Sequence, residues 1–401
     1  MSPAKTASSP VRLITGVGVA WLFDAMDVGM LSFIIAAVKT EWGLTAVQMG
    51  WIGSISSIGM AIGAVLFGML ADRIGRKMVL IITLLVFSLG SALSALAQGY
   101  ALFMALRLLI GAGLGGELPV ASTLVSESVA TEHRGRSVVL LESFWAAGWL
   151  LAAVISYFVI PQWGWRTAMV LTGLTALYAL YFREGIAESP AYEANAHRKP
   201  SFWQGLRNIW QKKYRRATAM LWIVWFMVVF SYYGMFLWLP SVMVLKGYSM
   251  INSFGYVLVM TLAQLPGYFV AAWLIEKWGR KKVLATFLTG TALAALGFGL
   301  AGTLPLLMVS GMLLSFFNLG AWGALYAYSP EQYPSVIRSS GSGLSAGVGR
   351  IGGIVGPLLV GSLVAKQVSF GLIFGIFTAA ILIAVVAVLA LGRETMGETL
   401  E

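Results

Sequence analysis

The chain contains no cysteine in 401 residues. That excludes disulfides, thiolate chemistry and cysteine metal centres. It has only two histidines, His133 and His197. Both sit in polar connectors far from the acids of the apolar runs, which leaves little for a metal site. No glycine loop of the phosphate-cradling kind is present, so nucleotide-driven chemistry has no support and no cofactor is implied. Charge is also scarce, at 11% of residues, against about 25% in soluble domains.

What fills the chain instead is apolar. Hydrophobic residues make up 59% and mean hydropathy is +0.83. A membrane span needs roughly 20 apolar residues. Runs of that kind cover 13–37, 50–70, 78–97, 101–125, 137–159 and 167–182, and then 218–245, 253–275, 283–302, 305–328, 340–364 and 370–391. None shows the alternation of a barrel strand, so a spanning β-barrel is excluded. The expectation is an all-α membrane protein with twelve transmembrane helices. Residues 1–12 form a short polar arm followed by a full-length span, so no cleavable leader is expected.

The net charge of +11 reports topology rather than nucleic-acid binding. Of 27 Lys and Arg, 21 fall in the arm, the alternate short connectors, the stretch 183–217 and the tail; the other faces hold only Lys39, Arg166, Lys246 and Lys366. Arg107 and Arg350 lie inside spans. Basic residues concentrate on the cytoplasmic side, which places both termini in the cytoplasm and the chain in the cell membrane. The expected domains are a six-helix bundle over 1–182, a cytoplasmic linker over 183–217 and a second bundle over 218–401. Phe202, Trp203, Leu206, Ile209 and Trp210 have helical spacing, so part of the linker reads as an amphipathic surface helix.

The halves repeat. At an offset of 204 residues, Asp72-Arg73-Ile74-Gly75-Arg76-Lys77 becomes Glu276-Lys277-Trp278-Gly279-Arg280-Lys281, and Glu127 and Arg134 become Glu331 and Arg338. Duplicated, pseudo-symmetric bundles are how secondary transporters are built. Glycines such as Gly111, Gly113, Gly115 and Gly116 are expected to let helices pack closely.

These residues resemble the major facilitator superfamily. Gly68 to Lys77 is similar to its hallmark loop between the second and third spans, and Arg107 through Gly115 to its fourth-span motif. Glu188-Ser189-Pro190, Pro330-Glu331-Gln332-Tyr333-Pro334 and the tail from Glu394 to Glu401 resemble the sugar-porter branch, which has Lys where Met396 stands. Trp21 to Gly29, Phe230 to Pro240 and Phe316 to Gly323 look most like bacterial niacin permeases, relatives of organic-ion carriers and of synaptic-vesicle transporter-like glycoproteins. The resemblance covers essentially the whole chain. It implies two pseudo-symmetric six-helix bundles and a secondary transporter, not an enzyme.

Six charged residues lie well inside spans: Asp24, Asp27, Arg107, Glu117, Glu142 and Arg350. Each costs about 2.5–3.5 kcal/mol at mid-bilayer unless paired, protonated or hydrated. Asp24 and Asp27 are spaced i, i+3 and share a helix face, where two ionised carboxylates disfavour each other. By resemblance to proton-coupled sugar porters, Asp27 binds the coupling proton and Arg107 pairs with its ionised form; a fixed salt bridge is the plainer reading. Glu117, three turns beyond Arg107, is a candidate for the same pathway, and Glu142 either lines the cavity or pairs with an arginine.

Arg350 is the clearest substrate clue. In similar organic-ion carriers this position is arginine where anions are carried, and a guanidinium clamps a carboxylate through two hydrogen bonds. A pair with an acid such as Glu142 is the alternative. Trp145 and Trp149, Trp322 and Tyr326, and Tyr232, Tyr233 and Trp238 offer flat faces for an aromatic ring, or else pack the helices. Gln264 and Asn318 are candidates to bond a ring nitrogen. The resemblance also implies a cytoplasmic gate built from Asp72, Arg73, Gly75, Arg76, Glu127 and Arg134 with Glu276, Arg280, Glu331 and Arg338, the acids pairing with arginines in one state and releasing them in the other.

Together these readings describe a proton-coupled importer of a small aromatic carboxylate, with nicotinate as the expected cargo. Its partners are that organic anion, protons and the lipid bilayer, with no nucleic acid, and one chain makes a complete pathway. A carrier or uniporter for another aromatic acid or a sugar, and a non-transporting membrane receptor or scaffold, are the alternatives.

Overall fold

The computed structural model describes residues 10–128, 134–178, 207–333 and 335–396. All regular structure among them is helical. In lipid this is dictated by the backbone, whose polar groups a helix satisfies within itself. The first half has α1 (Pro10–Trp42), α2 (Ala46–Ile74), α3 (Arg76–Ser94), α4 (Tyr100–Ser128) and α5 (Arg134–Gly173), the last followed by a 3-10 turn at Leu174–Leu177. The second half has α6 (Arg215–Phe236), α7 (Leu239–Leu245), α8 (Met250–Leu262), α9 (Gln264–Trp278), α10 (Arg280–Leu300), α11 (Leu304–Glu331), α12 (Ser335–Ala365) and α13 (Phe370–Leu391).

Ten described stretches are long and apolar enough to cross a membrane. One of them, Leu141–Leu177, is broken at Gly164 (φ 79°) and holds two crossings. α2 supplies the remaining one, and α6–α7 and α8–α9 each make a single crossing. The count of twelve is the expected one.

The duplication seen in the sequence is built into the backbone. Among the described residues, those with positive φ are Gly43, Gly75 and Gly164, and Gly247, Gly279 and Gln367. The first two pairs are 204 residues apart and the third 203. Gly75 and Gly279 have nearly the same dihedrals, φ 97° ψ 158° and φ 92° ψ 161°, a region open to glycine and strained for other residues. Thr45 and Ser249, again 204 apart, each accept a capping hydrogen bond at 3.3 Å, from the backbone N–H of Gln48 and of Asn252. A Cβ on Gly63 would strike the Ala112 carbonyl and one on Gly267 the Phe316 carbonyl; Gly148 and Gly352 meet the carbonyls of Leu22 and Phe226 in the same way. Every one of these contacts maps onto its partner at the same offset.

The chain groups into two compact units, Met1–Met30 with Ile55–Arg198, and Leu31–Ser54 with Lys199–Glu401. Within the second unit, Ser54 Oγ donates to the Ile354 carbonyl at 2.6 Å, Gly50 abuts the Pro357 carbonyl, and Phe33 meets Phe254 edge-on at 5.0 Å. Most of the expected linker lies outside the described residues. Of its apolar face, Ile209 is buried and Trp210 exposed.

Candidate functional site

Five Asp, Glu, Lys or Arg side chains are buried among the described residues, and all belong to the first unit: Asp24, Asp27, Arg107, Glu117 and Glu142. Asp27 on α1 is satisfied on both oxygens. Arg107 Nη2 of α4 donates to Oδ2 at 2.9 Å and Ser91 Oγ of α3 donates to Oδ1 at 2.8 Å. Arg107 Nε donates in turn to Ser56 Oγ of α2 at 3.2 Å. Three helices thus hold one carboxylate in the form that accepts hydrogen bonds from a cation.

This arrangement depends on a seam of glycines between α2 and α4. Gly59 and Gly63 on one helix abut the carbonyls of Leu108 and Ala112; Gly111 and Gly115 on the other abut those of Ser56 and Met60. With no Cβ in the seam the two backbones touch, as small residues permit in membrane helices. That approach brings Ser56 to Arg107.

Asp24, one turn from Asp27, meets a different partner. Glu117 on α4 is buried, with Asp24 as its neighbouring acid. Neither Glu117 oxygen has a conventional donor among the described residues. Spacing on α1 had put the two aspartates side by side; the structure sends them to different residues of α4. Glu142 is buried on α5, as are Trp145, which packs against Trp21 at 4.9 Å, and Trp149, whose indole meets Gly29.

The second unit holds the proposed anion contacts. Arg350 on α12 donates through Nη1 to Tyr233 Oη of α6 at 3.2 Å. From Tyr233 a run of rings continues through Tyr232 (5.3 Å, edge-on), Trp322 (4.9 Å) and Tyr326 (5.9 Å). The structure adds a ring that the sequence reading omitted: Trp225 lies 4.9 Å from Tyr326, fixed by a 2.9 Å bond from its Nε1 to Ser329 Oγ. Trp225 is one of 15 tryptophans, and nothing local marked it. Gln264 and Asn318 are buried on α9 and α11, helices in backbone contact at Gly267, and Gln264 Oε1, Asn318 Oδ1 and Trp322 Nε1 have no partner among the described residues. Buried polar atoms are paired in the great majority of cases, so unpaired ones suit a polar ligand or water. Trp238 is buried at the start of α7.

At the end of the second half, Arg280 Nε bonds both oxygens of Glu331, at 3.3 and 3.1 Å. Glu394 of the tail caps the start of α10, accepting from the backbone N–H of Arg280 at 2.9 Å and of Lys281 at 3.1 Å. Its carboxylate occupies the space where a Cβ of Gly279 would stand. Thr395 Oγ1 also donates to Glu331. Glu276 is exposed. Gly75 takes the conformation of Gly279, while the side chains of Asp72, Arg73, Arg76, Glu127, Arg134 and Arg338 lie outside the described residues. No group of three His, Cys, Asp or Glu among the described residues is placed to hold a metal.

The Major Facilitator Superfamily profile matches residues 17–264 and 254–399. The chain is 64% identical to the putative niacin/nicotinamide transporter NiaP of Bacillus subtilis over 97% of its own length and 98% of that protein's. It is 47% identical to the niacin transporter NiaP of Acinetobacter baylyi, covering 97% and 95%. Among solved structures, the xylose transporter XylE from E. coli superposes with a TM-score of 0.79 over 98% and 99% of the two chains, at 16% identity.

Proposed function

The chain belongs to the major facilitator superfamily, and from that premise we propose that it is a secondary transporter importing nicotinate across the cell membrane with protons. The observation that carries the cargo is the Arg350–Tyr233 contact at 3.2 Å, continued by the rings of Tyr232, Trp322 and Tyr326. A guanidinium recognises a planar carboxylate through two parallel bonds, and aromatic faces suit a pyridine ring. The unpaired amide oxygens of Gln264 and Asn318 are free to accept hydrogen bonds from a ligand or from water, which supports this reading. The names of the two relatives at 64% and 47% identity support the same cargo.

Proton coupling is assigned to the first unit. Asp27, ionised and held by Arg107 and Ser91, takes up a proton when Arg107 releases it. Neutralising the acid dissolves the charge pair, and a charge pair that exists in one state alone biases the equilibrium between states. Arg280 and Glu331 act as the cytoplasmic gate with their first-half counterparts, and both termini face the cytoplasm, in keeping with the distribution of Lys and Arg. One chain suffices for the pathway.

The test is uptake of radiolabelled nicotinate into proteoliposomes with and without an inward proton gradient. Accumulation stimulated by the gradient is the expected result. Uptake that only equilibrates removes the coupling and keeps the cargo; absence of uptake by folded, inserted protein removes the cargo.

A further inference from the structure

We propose that the basic segment leading into α6 is a docking site for the headgroup of an anionic phospholipid. Its cations are Arg207, Lys212, Lys213 and Arg215, with the indole of Trp210 beside them in the chain. The site depends neither on the cargo nor on proton coupling.

Charge supplies the first argument. Arg207, Lys212, Lys213, Arg215 and Arg216 stand within ten positions, and no Asp or Glu occurs between Glu193 and Glu276. All five side chains are exposed. Arg216 is engaged by the fold, its Nη2 donating to the Ala390 carbonyl near the end of α13 at 2.6 Å. The acids that follow in the same unit do not answer the other four. Glu331 bonds Arg280, and Glu394 caps the first backbone N–H groups of α10. Glu276 lies on α9, whereas α6 packs mainly against α12 and α13.

The segment is also held in place. Ile209 is buried and its carbonyl accepts from Thr218 Oγ1 of α6 at 2.7 Å. The backbone N–H groups of Tyr214 and Arg215 donate to the Gln211 carbonyl at 2.9 and 3.0 Å. The chain therefore turns back onto the first turns of a span and presents its cations there. Trp210 is 44% exposed and meets Trp222 of α6 edge-on at 5.1 Å. An exposed indole at the end of a span belongs at headgroup level. A soluble anion would use the cations alone; a phospholipid uses both, its phosphate meeting the Arg forks and Lys charges and its glycerol–acyl boundary meeting the indole. That combination selects the lipid as occupant. Each Lys or Arg near an anionic headgroup layer strengthens association about fivefold.

Native mass spectrometry of the full chain tests the site, after incubation in detergent with phosphatidylglycerol or with phosphatidylcholine of the same acyl chains. The wild type is expected to retain phosphatidylglycerol about tenfold better or more. Lys212→Gln with Lys213→Gln should remove most of that preference, glutamine at all four cations should abolish it, and Lys212→Arg with Lys213→Arg should keep it. Lys39→Gln with Lys366→Gln, which removes cations from connectors of the opposite face, should leave it unchanged. Equal retention of the two lipids by the wild type, or a preference that survives glutamine at all four positions, overturns the proposal. So does displacement of phosphatidylglycerol by millimolar inorganic phosphate, which makes the segment a site for soluble anions. Should the glutamine variants fail to fold, the wild-type comparison, the arginine variant and the phosphate competition still decide.

Discussion

Replacing Arg350 by alanine separates a carboxylate anchor from a packing residue, if the loss is read on two ligands. The guanidinium of Arg350 already gives Nη1 to Tyr233 Oη at 3.2 Å, and the Tyr233 ring in turn meets that of Tyr232. A hydrogen bond to a charged group contributes about 1.5–3 kcal/mol. Losing one such bond to the nicotinate carboxylate raises Kd about ten- to a hundredfold, since each 1.4 kcal/mol is about tenfold. Nicotinamide has the same ring and no carboxylate, so it makes the ring contacts without the charged anchor. The assay is equilibrium binding of both ligands to purified protein, wild type against Arg350→Ala and Arg350→Lys. The expected result is a ten- to hundredfold loss for nicotinate in the alanine variant, less than threefold for nicotinamide, and an intermediate loss for lysine, which keeps the charge without the planar fork. Equal losses for both ligands would make Arg350 a packing residue. Unchanged nicotinate binding would refute the anchor altogether.

Asp27→Asn is expected to abolish gradient-driven accumulation and to lower stability, because it strands the buried Arg107 charge at a cost of about 3–5 kcal/mol; Asp27→Asn with Arg107→Gln should recover Tm without recovering accumulation. Glu331→Gln weakens the two-oxygen contact with Arg280, so turnover in proteoliposomes should fall while nicotinate Kd stays within about twofold, a difference below 1 kcal/mol. An equal loss of affinity would argue against a gate. Gly279→Ala forces a side chain onto φ 92° and into the Glu394 carboxylate; a destabilisation of about 1–3 kcal/mol is expected, read as a fall in Tm, and an unchanged Tm would remove the strain argument.

Much of the candidate site was legible because membrane chemistry makes charge conspicuous. Asp27, Arg107, Glu117 and Arg350 stand out in apolar runs, and burial of the first three follows from the same cost that made them rare. Their partners were less visible. Ser91 and Ser56 hold the Asp27–Arg107 pair, but serine carries no penalty that would single out one among many. Trp225 joined the ring cluster through a contact 101 residues along the chain, from Trp225 to Tyr326, which no local spacing encodes.

The sequence by itself determined the solvent, the number of crossings and the repeat. Each is a property of composition or of a fixed offset, and neither needs to know which helix touches which. Only the tertiary structure decided the pairing of the acids. Asp24 and Asp27 share a face of α1, so spacing alone groups them together. A glycine seam sets the approach of α2 to α4, and in the assembled bundle Asp27 lies at Arg107 and Asp24 at Glu117. One acid became an ion pair and the other neighbours a second buried acid, because the partner a charge finds depends on the backbone separations that packing imposes.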